Sequence, residues 1–313
     1  MSVFSVLGRH LCPALAAAGY RVRGTLRRGP EAASDGIEYR ISGEVDGTTA
    51  WGPLLEGVEA VVHTAARVHV LKETEPDPLT AFRRVNVAGT ERLARQAAAS
   101  SVRRFVLLSS VGAAVAGRQA AGVSDAPEAT PYQVSKWEAE QALARVAKET
   151  GLELVVLRPP MVYGADAPGN FRLLLRAVSA GLPLPFGSIE NRRSFLYVGN
   201  LASAVLACIS RPVASGRVFT LSDGEDVSTP EFTRRLAAAL GRPARLFPCP
   251  VFLLRAAGRL LGRESAIEGV TGSLVVDCSE VSDRLDWRPP YGMHQALAET
   301  ATAVRSTPGP SRL

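Results

Sequence analysis

Tyr132 and Lys136 stand four residues apart, so their side chains share one face of any helix that carries them. A nearby ammonium favours phenolate, and this spacing predicts a Tyr132 pKa drawn down from ~10 toward working pH. A phenol so placed can take or give the proton when an alcohol and a ketone interconvert. Alone, Tyr-x-x-x-Lys more often marks a snorkelling surface pair. Its neighbours give it weight: Ser109-Ser110 upstream, and Arg158-Pro159-Pro160-Met161-Val162-Tyr163-Gly164 downstream.

The elements that must hold these residues alternate along the first half. Residues 21–25, 38–41, 60–63, 104–109 and 152–158 read as short strands rich in β-branched and apolar residues, and 79–100 and 132–151 as helices. Alternation of this kind predicts an α/β fold with a doubly wound parallel sheet. Ligands of such sheets bind at the carboxyl ends of strands, where His63-Thr64-Ala65-Ala66, Ser109-Ser110 and Arg158-Pro159 fall. The second half is punctuated by proline, with candidate helices over 170–180, 198–210, 229–240 and 292–303. The stretch 306–313 lacks apolar periodicity and is expected to be a disordered tail.

Composition excludes several classes. The chain has 313 residues, 46% hydrophobic and 21% charged, enough for one large domain or two smaller ones. Its net charge of +6 comes from scattered arginines such as Arg83, Arg84 and Arg192, without a basic run interleaved with aromatics, so nucleic acid is not an expected partner. Cys12, Cys208, Cys249 and Cys278 lie far apart, which argues against a zinc site or disulfide framework and for reduced thiols in a cytoplasmic protein. No apolar run reaches the ~18 residues of a membrane span. Leu7, Leu11 and Leu15 recur at helical spacing, so 1–19 reads as an amphipathic helix on a sheet rather than a signal peptide. The segment 251–261, carrying Arg255 and Arg259, fits an interfacial membrane helix or, the favoured reading, a helix of the smaller lobe.

Six short stretches in order resemble the extended short-chain dehydrogenase/reductase family, the nucleotide-sugar epimerases, dehydratases and reductases. They are Val61-Val62-His63-Thr64-Ala65-Ala66, Asn86-Val87-Ala88-Gly89-Thr90, Ser109-Ser110, Tyr132-x-x-x-Lys136, Arg158 to Gly164, and Arg193 to Val198. Gly181 to Gly187, followed by Asn191-Arg192-Arg193-Ser194-Phe195, is most similar to bacterial 4-epimerases and 4-keto-sugar reductases of surface-polysaccharide pathways. The resemblance implies a Rossmann-type lobe over 1–165 and a mainly substrate-binding lobe over 166–305, partly interleaved with it.

By the same resemblance, Tyr132 takes the proton of a sugar hydroxyl while hydride passes to nicotinamide. Lys136 also holds the nicotinamide ribose, and Ser110, with Ser109 as the alternative, bonds the reacting oxygen. Ala65, Ala66, Asn86, Ser109 and Pro159 border the cofactor. Arg193 and Asn170 meet the nucleotide diphosphate, an arginine fork and a helix start both suiting phosphate oxygens. As plain structure, Arg193 is a surface charge and Asn170 an N-cap. Dehydratases of the family carry Thr-Asp-Glu where this chain has Ser110-Val111-Gly112, so dehydration is disfavoured.

One departure bears on the cofactor. The family's G-x-x-G-x-x-G loop keeps only Gly8 here, with Ser2 and Ser5 in place of the other glycines, and the first strand is expected to be truncated. Either the sequence as given starts late or it is a degenerate member that binds cofactor poorly; intact site residues favour the former. At the end of the second strand Arg27-Arg28 follow Thr25-Leu26 in place of an acidic residue, which favours NADP over NAD, and Glu44-Val45 are expected beside adenine.

The expected activity is NAD(P)-dependent 4-epimerisation of a nucleotide sugar, UDP-linked by resemblance, through transient oxidation at C4. The rivals are an NADPH-dependent reductase of a nucleotide 4-keto sugar and a catalytically silent binding module. A homodimer is expected from the resemblance.

Overall fold

The computed structural model describes residues 6–29, 32–34, 36–68, 77–124, 127–167 and 169–306. The chain begins with α1 (Val6–Ala17), β1 (Val22–Leu26), β2 (Ala32–Ser34), β3 (Ile37–Ile41), α2 (Gly52–Leu55) and β4 (Ala60–His63). It continues with α3 (Pro78–Arg83), a π-helical segment Arg84–Gly89, α4 (Thr90–Ala98), β5 (Arg104–Leu108), α5 (Gly112–Ala120), α6 (Pro131–Thr150) and β6 (Glu153–Arg158). Then follow β7 (Met161–Tyr163), α7 (Asn170–Ser179), β8 (Arg193–Tyr197), α8 (Val198–Ser210), β9 (Arg217–Thr220) and β10 (Asp226–Val227). The last elements are α9 (Thr229–Ala239), α10 (Val251–Leu260), α11 (Glu264–Thr271), α12 (Ser279–Leu285) and α13 (Met293–Ser306).

Two units share the chain. The first takes residues up to Pro159, then Leu201–Leu221 and Cys278–Arg288; the second takes Pro160–Asn200, Ser222–Asp277 and the chain from Pro289.

In the first unit, β4, β5, β6 and β9 pair in that order, all parallel. Every residue of β5 is buried, as its apolar run Phe105-Val106-Leu107-Leu108 requires of a central strand covered on both faces. Helices cover the sheet: Leu93, Ala94, Ala97, Leu143 and Val146 pack against Val61, Phe105, Leu107 and Val156. The buried Arg104 binds Glu153 and sends Nη1 to the carbonyls of Cys208, Ile209 and Arg211 at 2.8, 3.0 and 2.8 Å, closing the end of α8. A second sheet pairs β1 with β3 in parallel and β3 with β2 antiparallel. Among the described residues no strand joins β1 to β4. The expectation of a truncated first strand, with Ser2 and Ser5, concerns residues 1–5, which lie outside the described residues, as do 307–313 of the expected tail.

The second unit holds β7, β8 and β10, with β7 parallel and β10 antiparallel to β8. Its core is aromatic: Tyr163, Phe171, Phe195 and Phe232 are all buried, with Phe195 stacked on Phe232 at 4.1 Å. Tyr163, singled out as part of a motif, is therefore a core residue. Among the described residues no helix is long and apolar enough to cross a membrane, and no cluster of side chains could hold a metal ion.

Candidate active site

Helix α6 starts where its sequence says it should. The Thr130 hydroxyl accepts from Gln133 N at 3.3 Å and Gln133 Oε1 accepts from Thr130 N at 2.9 Å, a reciprocal capping box with Pro131 in the first turn. Gly151, at φ +77°, ends it in the left-handed conformation. This helix presents Tyr132, Lys136 and Glu140 at successive four-residue steps, with Lys136 and Glu140 buried.

Helix α5 comes close to that start at Gly112, where a Cβ would lie 2.6 Å from Gln133 Cγ. The close approach carries Ser110, just before α5, to the phenol of Tyr132, with which it hydrogen-bonds. Ser110 Oγ also accepts from Gly112 N at 3.2 Å. Ser109 turns elsewhere and donates to Glu140 Oε1. Of the two serines left open by the sequence, Ser110 is the one that reaches Tyr132.

The expected effect of Lys136 on Tyr132 is not what the structure shows. Tyr132 is pushed up to about 12, because burial disfavours the phenolate and outweighs the Ser110 hydrogen bond that lowers it. Lys136 Nζ instead donates to the Leu108 carbonyl at 2.6 Å, at the end of β5. Burial lowers Lys136 to about 8 against the opposing charge of Glu140. Sequence spacing set the shared face correctly; it could not set the depth.

Glu140 is the residue that sequence reasoning missed. Besides Ser109 it receives Arg158 Nε at 3.0 Å and Nη2 at 2.5 Å. The signal was present, since Glu140 continues the Tyr132–Lys136 face by one more turn.

Asn86 lies in the π-helical segment, a local widening common at functional sites. Its Oδ1 accepts from Arg67 N at 2.7 Å, and its Nδ2 donates to Arg67 O at 3.0 Å and Ser135 Oγ at 2.9 Å. Ser135 in turn donates to Tyr132 O at 2.8 Å. Asn86 thus ties the loop after β4 to the first turn of α6. The Tyr132 ring meets Phe82 edge-on at 6.1 Å, and the Arg67 guanidinium lies 5.7 Å over Phe82. His63 is buried, shares a 3.0 Å hydrogen bond with Thr90 Oγ1 and is lowered to about 3 by burial and then by the Lys136 charge.

The remaining predicted residues divide between the units. In the first, Gly8 is buried in the first turn of α1, and Val45 packs against Gly89. Arg27 Nε and Arg28 Nη2 are each 3.7 Å from Glu44 Oε1, all three exposed. Ala65 and Ala66 follow β4 half-buried, and the Pro159 carbonyl accepts from Val111 N at 3.1 Å. In the second unit, Asn170 opens α7 and Arg193 opens β8, and both line a cavity of about 230 Å³ with Thr229, Phe195, Phe232 and Ile267. Arg193 Nη1 donates to Gly272 O at 2.6 Å, while its buried Nε has no hydrogen bond among the described residues.

Comparison with known proteins bears on the family and the fold. The sequence model of the NAD dependent epimerase/dehydratase family matches residues 4–222. A UDP-glucose 4-epimerase of Vibrio cholerae is 40% identical over 275 residues, covering 86% of this chain and 83% of that protein. A ceramide reductase of Caulobacter vibrioides is 29% identical over 289 residues, covering 90% and 83%. The solved structure of a UDP-glucuronic acid 4-epimerase from Bacillus cereus with NAD shares the fold at a TM-score of 0.71 and 18% identity, over 97% of this chain and 94% of that one. By that match over residues 4–222 and that identity, the chain belongs to the NAD dependent epimerase/dehydratase family.

Proposed function

We propose that this chain epimerises a nucleotide sugar at C4 by transient oxidation to a 4-keto sugar, with Tyr132 as the acid/base. The observation that carries the reading is the Ser110–Tyr132 hydrogen bond at the carboxyl end of β5, beside the buried Lys136. The 40% identity to a UDP-glucose 4-epimerase supports a UDP-linked sugar.

The donor set of the first unit fits a nicotinamide dinucleotide. Lys136 carries three N–H donors and places one on Leu108 O, so others are available to ribose hydroxyls. Ala65, Ala66, Ser109 and Pro159 border the same strand ends with small or neutral groups, and Asn86 fixes the loop after β4. When bound, the cofactor supplies hydride acceptance and return at the sugar carbon.

The protein's part is proton placement. Tyr132 Oη rests protonated, so it is set to give its proton to a ketone oxygen and must lose it before accepting one from a hydroxyl. The Ser110 hydroxyl hydrogen-bonds that phenol oxygen and eases its ionisation against the effect of burial. Lys136 supplies a fixed positive charge, kept in register by the Leu108 carbonyl and Glu140. In the second unit Arg193 and Asn170 are assigned to the nucleotide diphosphate; the buried Nε of Arg193 supports this.

The resting protonated phenol and the pair Arg27–Arg28 favour a second reading, an NADPH-dependent reductase of a nucleotide 4-keto sugar. Glu44 beside both arginines weakens the case for a 2′-phosphate site, although exposed pairs at 3.7 Å hold little. No observation favours a silent binding module.

Incubation of the chain with UDP-glucose and catalytic NAD is the deciding experiment. Formation of UDP-galactose without net cofactor turnover is expected, and Tyr132→Phe should slow it by ~10³-fold with unchanged melting. Stoichiometric NADPH oxidation by a nucleotide 4-keto sugar, with no epimer formed, would establish the reductase instead.

A further inference from the structure

Helix α10 is unlike the other helices of the second unit in what it exposes. Phe252, Leu253 and Leu260 are 68, 48 and 88% exposed, and Leu261 just beyond is 75% exposed. Only Leu254 and Gly258 are buried, and Gly258 meets α11 so closely that a Cβ there would lie 2.7 Å from Ile267 Cγ1. At about 100° per residue, Phe252, Leu253, Ala256, Ala257 and Leu260 fall in one sector of about 140°, turned away from Leu254 and Gly258. Arg255 and Arg259 flank that sector beside Phe252.

The charge around this sector has one sign. Residues 241–263 hold Arg242, Arg245, Arg255, Arg259 and Arg263, all exposed, and no acidic residue. Glu268 lies 3.4 Å from Arg255 and Glu264 3.9 Å from Arg259, exposed pairs too weak to neutralise the face. Counting those two glutamates, the segment 241–268 still carries five arginines against two acids, a net +3.

We propose that α10 is a docking surface for an anionic lipid bilayer, lying in the interface with its apolar sector in the acyl boundary and its arginines at the headgroups. The apolar sector with long basic side chains on its flank is the pattern of an interfacial helix. At 10 residues α10 is far too short to span a bilayer. A second copy of this chain is a poorer occupant, because a self-complementary contact would bring the same positive face against itself. An anionic surface satisfies both the apolar sector and the arginines.

The test is co-sedimentation of the full chain with vesicles, and it reads binding alone, so it stands apart from the C4 chemistry. Vesicles of phosphatidylcholine mixed with phosphatidylglycerol should retain the chain at low salt. Pure phosphatidylcholine, or high salt, should retain at least ~10-fold less. The double variants Phe252→Glu/Leu260→Glu and Arg255→Glu/Arg259→Glu should each lose at least ~10-fold in bound fraction. In the unaltered chain, amide exchange over 251–261 should slow when anionic vesicles are added. No retention by anionic vesicles, equal retention by neutral ones, or unchanged exchange over 251–261 would overturn the proposal. So would a concentration-dependent dimer in light scattering that the Phe252→Glu/Leu260→Glu variant abolishes without any vesicle binding.

Discussion

Arg158 grips Glu140 with two parallel hydrogen bonds, Nε to Oε1 at 3.0 Å and Nη2 to Oε2 at 2.5 Å, joining the last residue of β6 to the middle of α6. Ser109, at the end of β5, adds its hydroxyl to the same carboxylate. One buried charge therefore ties two strand ends to the helix that carries Tyr132 and Lys136. A bidentate arginine fixes orientation as well as distance. The helix carrying Tyr132 and Lys136 is thereby locked against the sheet edge where the reaction is proposed to occur.

Replacing Glu140 by Gln removes the counter-charge and leaves the largely buried Arg158 cation without its ionic partner. The loss of stability should be ~3 kcal/mol, read as a lower urea midpoint with an unchanged slope. Glu140 also raises Lys136, so its removal should lower the Lys136 pKa and move an alkaline limb set by that group to lower pH in the kcat/KM profile. A variant with wild-type midpoint and wild-type alkaline limb would show that the carboxylate does neither.

Gly112→Ala tests the contact that brings Ser110 to Tyr132. The new methyl would sit 2.6 Å from Gln133 Cγ, and Gln133 is half of the capping box at the start of α6. Displacing it should cost ~1 kcal/mol of helix capping. The shift also moves the first turn that holds Tyr132, so kcat should fall while KM for the nucleotide sugar stays put. A kcat unchanged within twofold would mean that Gln133 can swing aside without disturbing the phenol.

Parts of this arrangement are legible in the residues and parts are not. Thr130-Pro131, Gln133 and Gly151 mark both ends of α6, and the apolar run of β5 marks a central strand, because local rules decide both. The sequence over 79–100 reads as one uninterrupted helix, whereas the structure inserts a π-helical turn at 84–89. Within that turn Asn86 meets Arg67 and Ser135, contacts that no helical periodicity encodes. Glu140 is not legible for a related reason: a glutamate in mid-helix ordinarily faces water, and its partner Arg158 reaches it only after the chain has crossed to β6. The raised Tyr132 pKa is not legible either, because four-residue spacing reports a shared face but says nothing of burial.

His63 makes the fold acid-sensitive. In the folded chain its pKa is lowered to about 3, against an ordinary 6.5, so the unfolded chain binds the extra proton between those values. Stability is then complete above about pH 6.5 and is lost progressively as pH falls toward about 3. By pH 5 the loss from this residue alone should be ~2 kcal/mol. His63→Gln, which keeps a polar partner for Thr90, should flatten that part of the profile in urea titrations at pH 7 and pH 5. An equal loss in variant and wild type would assign the acid limb to other groups.

Arg193 carries the substrate assignment of the second unit, and its geometry gives that assignment a sharp consequence. Nη1 is committed to Gly272 O at 2.6 Å, whereas Nε is buried without a hydrogen bond among the described residues, beside a cavity that Asn170 also lines. Burial lowers the guanidinium from its usual value, and an incoming diphosphate would repay that cost. Arg193→Lys keeps the charge but loses the planar fork that pairs two phosphate oxygens side by side while Nη1 stays on Gly272 O. KM for the nucleotide sugar should rise ~10-fold or more with kcat changed far less, as expected when binding is lost equally from ground and transition states. Inorganic pyrophosphate should protect wild-type Arg193 from a guanidinium-directed reagent over the same concentration range in which it inhibits. If KM is unmoved and protection absent, Arg193 is a structural link to Gly272, and the diphosphate must be held elsewhere.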